Sequence, residues 1–223
     1  MTNFQKNLSI SSEKTFKIDL ALFEHNQLGK DNKKKRSDLM KGDKHYFVGI
    51  NVPVSIAHQA ENWAKELIPF PFKQWTYPDD YHITLQFLGF LDDKKEKLIT
   101  RLKEVASRHS SFSLQTGQYD VFGAYNKPRV LYVSLRPNDQ LMNLQRDIQA
   151  LWEDLSGLYE KRPYRPHITI AKKWGEEAGL LKEQLKQTSI EEQFQVSSFA
   201  LFEVHPASKP KYKKILSFSL QSQ

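Results

Sequence analysis

His82-Ile83-Thr84-Leu85 and His167-Ile168-Thr169-Ile170 are two copies of one pattern, His-apolar-Thr-apolar, set 85 positions apart. With seven histidines in 223 residues, two such matches arise by chance in roughly six of ten thousand chains of this composition. Side chains of a strand alternate faces, so His and Thr two positions apart point the same way. Ile83 and Leu85, like Ile168 and Ile170, then point into an apolar layer behind. Each strand presents one imidazole and one hydroxyl, and two such strands about a pseudo-twofold axis bring both pairs to one cavity. Such a cavity suits a phosphodiester. One neutral imidazole takes a proton from an attacking water and a protonated one gives a proton to the departing oxygen, while hydroxyls donate to the non-bridging oxygens. Histidine suits both roles because its ordinary pKa, about 6.5, lies near neutrality.

The elements around the motifs are legible from punctuation and periodicity. His45–Val52 reads as a buried strand stopped by Pro53, and Ile56, Ala60, Trp63, Ala64 and Leu67 share a helical face. A strand over Lys73–Tyr77 and a Pro78-Asp79-Asp80 turn lead into the strand His82–Leu88, closed by Gly89. A helix follows over Asp92–Arg108, then strands over Phe112–Phe122 and Arg129–Leu135. The second half has a helix over Asn138–Leu158, the strand His167–Ala171, a short helix over Glu176–Lys186, and strands over Phe194–Val204 and Lys211–Leu220. Helix and strand alternate in both halves, which implies an α+β chain of sheets with helices on one face. An ancestral duplication would explain the two tripeptides, although no other repeat is visible.

Composition narrows the classes. Cysteine is absent, which excludes disulfides, thiolate nucleophiles and cysteine-based zinc sites and points to a cytoplasmic protein. No apolar run reaches about 18 residues, so no membrane span is expected. Of the net charge of +7, residues 1–44 carry +4, including Lys33-Lys34-Lys35-Arg36; such a run reads as a solvated tail before it reads as a binding patch. Residues 1–44 read as a mostly flexible N-terminal extension, although Phe16, Ile18, Leu20 and Leu22 alternate as an edge strand would. Residues 45–223 form the catalytic domain. No metal is expected, because two histidines need further ligands and no third His or compact carboxylate cluster sits at a zinc-like spacing. Asp79 and Asp80 read as turn residues. The other histidines (His25, His45, His58, His109, His205) are assigned to surface, helix or loop positions.

Longer stretches around the two motifs carry a resemblance. Trp75-Thr76-Tyr77-Pro78-Asp79-Asp80-Tyr81-His82-Ile83-Thr84-Leu85-Gln86-Phe87-Leu88-Gly89 and Arg162-Pro163-Tyr164-Arg165-Pro166-His167-Ile168-Thr169-Ile170-Ala171-Lys172 look like the 2H phosphoesterases, in the RNA 2',3'-cyclic phosphodiesterase branch also called LigT-like or 2'-5' RNA ligase proteins. His45–Val52 and Pro128–Val133 are similar too, and the likeness runs from about Lys44 to the C-terminus. It implies a bilobal LigT-like fold: two pseudo-symmetric lobes of antiparallel sheet, helices on the outer faces, and the active-site cleft between them. It implies hydrolysis of RNA 2',3'-cyclic phosphate ends to a 2'-phosphate without a metal or other cofactor, by a cytoplasmic monomer. By the family pattern His82 is the proton donor to the leaving 3' oxygen and His167 the proton acceptor that activates water.

Bacterial relatives often have arginine five positions after the second histidine; here it is Lys172, which keeps the charge but loses the two-pronged grip on phosphate. Thr84, Thr169 and Lys172 are therefore the expected phosphate-binding residues. Trp75, Tyr81, Tyr125 and Trp174 lie near the motifs and could stack on a terminal base, the alternative being core packing; Arg129 and Arg165 could reach a neighbouring phosphate. Three rival functions share these motifs: hydrolysis of a small cyclic phosphate (an ADP-ribose cyclic phosphate or a cyclic nucleotide), 2'-5' RNA ligation in the same site, and RNA binding without turnover.

Overall fold

The computed structural model describes residues 44–66, 72–175, 185 and 189–222. The segment before Lys44, and the helix expected over Glu176–Lys186 apart from Leu185, lie outside the described residues. In chain order the elements are β1 (His45–Asn51), α1 (Val54–Glu66), β2 (Phe72–Trp75), β3 (His82–Gly89), α2 (Lys95–Ala106), β4 (Phe112–Ala124), β5 (Lys127–Leu135), α3 (Asp139–Ser156), β6 (His167–Trp174), β7 (Gln193–Val196), β8 (Ser198–Val204) and β9 (Tyr212–Ser219). The helices follow from their apolar spacing. In α2, Leu98, Leu102, Val105 and Ala106 are buried, and in α3 Leu141, Leu144, Ile148, Leu151 and Trp152 are. Asn138 caps α3 by accepting from the Leu141 N–H at 2.8 Å, and Gly157 ends it in the left-handed region at φ 67°, which glycine adopts without a Cβ penalty.

Among the described residues the strands run β7-β4-β5-β6-β3-β1-β8-β9, with β2 beside β6, and neighbours are antiparallel throughout. The order divides into two four-stranded halves that meet where β3 pairs with β6, and this seam separates the two lobes. β5 and α3 lead directly to β6 as a strand–helix–strand unit, whereas β1 and α1 lead to β3 by way of the short β2, which pairs with β6. The helices cross over the seam, α1 packing on the Pro78–Asp80 turn and β6 while α3 packs on β3 and α2.

One continuous core lies under both lobes. Ile83 and Leu85 from β3 join Ile168 and Ile170 from β6, Leu98 and Leu102 from α2, and Leu141, Leu144 and Ile148 from α3. Each such side chain removed from water contributes about 1.5–3 kcal/mol. A second cluster, Phe47, Ala200, Phe202 and Val204 with Phe87 and Tyr212 against it, is packed separately from that core. β1 therefore feeds Tyr46, Val48 and Ile50 to the main core and Phe47 to the second cluster, which is why its sequence is apolar without alternation.

Two expectations need correction. The single strand expected over Phe194–Val204 is two strands: Gln193–Val196 pairs with β4, whereas Ser198–Val204 pairs with β1 and β9. The chain changes lobes at Ser197, whose carbonyl accepts from the Leu220 N–H at 2.9 Å, and a continuous apolar pattern cannot show a change of partner. His45, grouped with the surface, helix or loop histidines although it opens the stretch read as a buried strand, is a buried residue of β1.

Candidate active site

β3 and β6 pair antiparallel at Ile83 and Ile168, the central residues of the two tripeptides. Both isoleucines are fully buried, so His82, Thr84, His167 and Thr169 project to the opposite side, and all four are partly accessible. Antiparallel registration about that pair runs His82 toward Thr169 and Thr84 toward His167. The outer neighbours repeat the symmetry: Gly49 of β1 pairs with Thr84, and Tyr132 of β5 pairs with Thr169. Gly49 permits a close approach, because a Cβ there would meet the Ile83 carbonyl oxygen at 2.9 Å and the Phe47 ring at 3.1 Å.

The two imidazoles are held alike. His82 Nδ1 lies 2.6 Å from the Asp80 carbonyl oxygen, and His167 Nδ1 lies 2.7 Å from that of Arg165. A carbonyl only accepts, so each Nδ1 carries hydrogen and each neutral ring keeps Nε2 as its basic atom. Thr84 Oγ1 lies 3.1 Å from His82 Nε2 and donates to it in that form. Aromatic rings wall both imidazoles. Phe47 and Tyr212 stand 4.6 and 4.8 Å from His82, and Phe122 and Tyr132 stand 4.8 and 5.4 Å from His167.

This packing sets the electrostatics. Burial, with the nearby positive charges of Lys172 and His167, pushes the His82 pKa down to about 4 against the Asp80 carbonyl, which favours the charged form. Burial and Lys172 push His167 down to about 4, and the Arg165 carbonyl opposes them. Both rings are therefore neutral near pH 7, and an anionic group between them would raise both pKa values. The positive charge of Lys172 reaches both rings and disfavours protonation of each.

The remaining expected residues divide. Trp75, 38% exposed at the end of β2, pairs with Ala171 of β6, and Gln74 beside it pairs with Lys172. Tyr125 donates to Asp120 Oδ1 at 2.7 Å, and Tyr132 donates to Asp120 Oδ2 at 3.2 Å. Arg165 supplies its carbonyl to His167, and burial with the Asp120 carboxylate pushes the Tyr132 phenol up to about 12 against the Arg165 charge. Arg129 is exposed near the β4–β5 turn. Tyr81 is core and Trp174 packs edge-on against Phe72 at 5.0 Å, so packing is the outcome for those two. Among the described residues no three His, Cys, Asp or Glu side chains form a metal-ligand set, and no helix is long and apolar enough to cross a membrane.

Residue reading missed several contributors. Phe47, Phe122, Tyr132 and Tyr212 come from four strands remote in sequence and meet the histidines only through pairing. Tyr164, inside the second motif stretch, donates to the Thr84 carbonyl at 2.9 Å and ties the approach to β6 onto β3. Asp80, read as a turn residue, does lie in the turn, but its carboxylate is buried and accepts from β9.

Comparison with known proteins agrees with this geometry. The chain is 38% identical over 177 residues to the RNA 2',3'-cyclic phosphodiesterase of Bacillus subtilis, covering 79% of this chain and 96% of that protein. Its fold is similar to that of a Thermus thermophilus protein, TT0787 (TM-score 0.66, 20% identity, 80% of this chain and 99% of the other). It is also similar to Escherichia coli LigT complexed with 3'-AMP (TM-score 0.62, 24% identity, 79% and 98%). The profile of the 2'-5' RNA ligase superfamily matches residues 52–206, a span containing both His-Ile-Thr strands and the seam between them, and the chain belongs to that superfamily of 2H phosphoesterases.

Proposed function

We propose that the protein hydrolyses RNA 2',3'-cyclic phosphate ends to a 2'-phosphate by metal-independent acid–base catalysis between His82 and His167. One observation carries the reading: two His-Thr pairs project to one side of a two-strand seam, each histidine with Nε2 as its basic atom. The similarity to a curated RNA 2',3'-cyclic phosphodiesterase supports the substrate class. In the proposed reaction His167 Nε2 takes a proton from water as its oxygen attacks phosphorus. The bond from phosphorus to the 3' oxygen breaks, and His82 Nε2–H supplies the proton that this oxygen needs. Thr84 and Thr169 hydroxyls and the Lys172 ammonium hold the non-bridging oxygens, where charge builds. Trp75 and Tyr125 offer stacking surfaces to the terminal bases, and Arg129 and Arg165 offer charge to flanking phosphates.

Near pH 7 a ring of pKa about 4 is protonated in only about one molecule in a thousand. The phosphodiester charge answers this, because an anion between the rings raises both pKa values and stabilises one imidazolium. Substrate binding and proton uptake are thus coupled in this scheme.

The test incubates the protein with EDTA and a short RNA ending in a 2',3'-cyclic phosphate, beside His82→Ala and His167→Ala. A 2'-phosphate product, with each variant slowed roughly 10²–10⁴-fold, is the expected result. Turnover lost to EDTA, or retained in either variant, refutes it. A substrate with sulfur at the 3' bridging position separates the roles: sulfur leaves without a proton, so it rescues His82→Ala and not His167→Ala.

A further inference from the structure

We propose that Asp80 is the positioning residue of the His82 half of the site, its backbone holding the imidazole and its side chain holding the aromatic wall against that ring. The inference rests on the assignment of His82 and His167 as the reacting pair.

A turn aspartate ordinarily faces water, yet Asp80 is 3% exposed. Burying a carboxylate is costly unless its oxygens find donors. Here Oδ1 accepts from the Lys211 N–H at 2.8 Å and the Tyr212 N–H at 3.0 Å, and Oδ2 accepts from the Lys211 N–H at 3.0 Å. These bonds join the turn before β3 to the first residue of β9, across 132 positions of sequence. They fix where Tyr212 begins its strand, and the Tyr212 ring meets His82 edge-on at 4.8 Å and 81°. Phe47 packs beside Tyr212 in the same wall, 4.6 Å from His82 and 5.1 Å from Tyr212. The carbonyl of the same residue, Asp80, takes the His82 Nδ1–H at 2.6 Å.

The second half is built differently. The carbonyl for His167 comes from the exposed Arg165, and its wall is steadied by Asp120 through the Tyr132 hydroxyl. Two residues there share what Asp80 does alone. The consequence is chemical. A histidine free in water favours the neutral form with hydrogen on Nε2, so Nδ1–H at His82 is imposed by its acceptor. In that form the proton His82 gives or regains is the Nε2 proton on the cleft side. Releasing the turn would let the ring return to its solvent preference and swing away from the Phe47 and Tyr212 rings. The charged and titratable groups that act on His82 are Lys172 and His167 from β6, with the Tyr212 ring of β9 packed against it, so tautomer is a cleaner readout than a shifted pH profile.

The experiment uses the full chain with ¹⁵N-labelled histidine, and long-range ¹H–¹⁵N spectra near pH 7 distinguish the tautomers of both neutral rings. Asp80→Asn and Asp80→Ala are compared with wild type, and steady-state kinetics are run on the same samples with the RNA cyclic phosphate. In Asp80→Ala the expected result is His82 moving toward the Nε2–H form while His167 stays Nδ1–H. Its kcat should fall about 10- to 100-fold while KM changes by less than about threefold. Asp80→Asn, which keeps one oxygen acceptor, should lie between and carries the test if the alanine variant does not fold. An unchanged His82 tautomer in both variants, or loss of Nδ1–H at both histidines together, overturns the role. His82→Ala separates the two failures. Full turnover in it overturns the reacting pair and the positioning role with it. An inactive His82→Ala beside an Asp80→Ala of normal kcat overturns the positioning role alone.

Discussion

Acidifying this protein from pH 7 to pH 5 should destabilise it through its two cleft histidines, by an amount their packing sets. Each ring has its pKa held at about 4 in the folded chain, against about 6.5 in an unfolded one. A histidine with a depressed folded pKa takes up its proton in the unfolded chain first. Stability is therefore full above pH 6.5 and is lost as the pH falls toward 4, where the folded rings protonate too. Over the step from pH 7 to pH 5 the linkage amounts to about 1.8 kcal/mol for each fully shifted ring. Both rings keep an accessible edge, so solvent screening reduces that to about 1 kcal/mol each, or about 2 for the pair. Urea melts followed by tryptophan fluorescence at pH 7, 6 and 5, on wild type and on His82→Gln with His167→Gln, read this directly. Wild type should lose about 1 M in its urea midpoint between the end points beyond any change in the double variant. Glu203, whose pKa is held low by Tyr46 and Lys44 against its burial, loses its contribution at still lower pH and leaves this window clear. Parallel pH dependence in the two proteins would refute the packing argument for both rings.

Two further outcomes follow from the same geometry. Lys172→Gln removes a charge that lowers both histidines, so the acid limb of kcat/KM should move to higher pH, while KM rises about 10-fold or more if the proposed phosphate contact is lost; a limb that stays put or moves down contradicts the electrostatic reach of Lys172 to both rings. Gly49→Ala puts a methyl 2.9 Å from the Ile83 carbonyl, which should cost about 1–3 kcal/mol in denaturant melts and slow turnover by displacing the strand that carries His82 and Thr84; wild-type stability would show that β1 yields freely.

The sequence by itself determined which motif side chains share a face, and most of the elements. A strand repeats every two residues, so His-Ile-Thr states which side chains share a side before any partner strand is known. The apolar spacing over Asn138–Leu158 likewise gives α3 to within a few residues. What the linear pattern cannot express is pairing. That Ile83 faces Ile168, that an apparent single strand divides between lobes at Ser197, and that Phe47, Tyr132 and Tyr212 wall the imidazoles all depend on hydrogen-bond partners far apart in the chain. Asp80 shows the difference most clearly: its local text, Pro78-Asp79-Asp80, specifies a turn and the structure keeps it. Its burial beneath β9 and its hold on His82 exist only because residues 211 and 212 fold back to meet it. Local stereochemistry is written residue by residue, whereas burial, pKa and the meeting of remote side chains are properties of the packed chain alone.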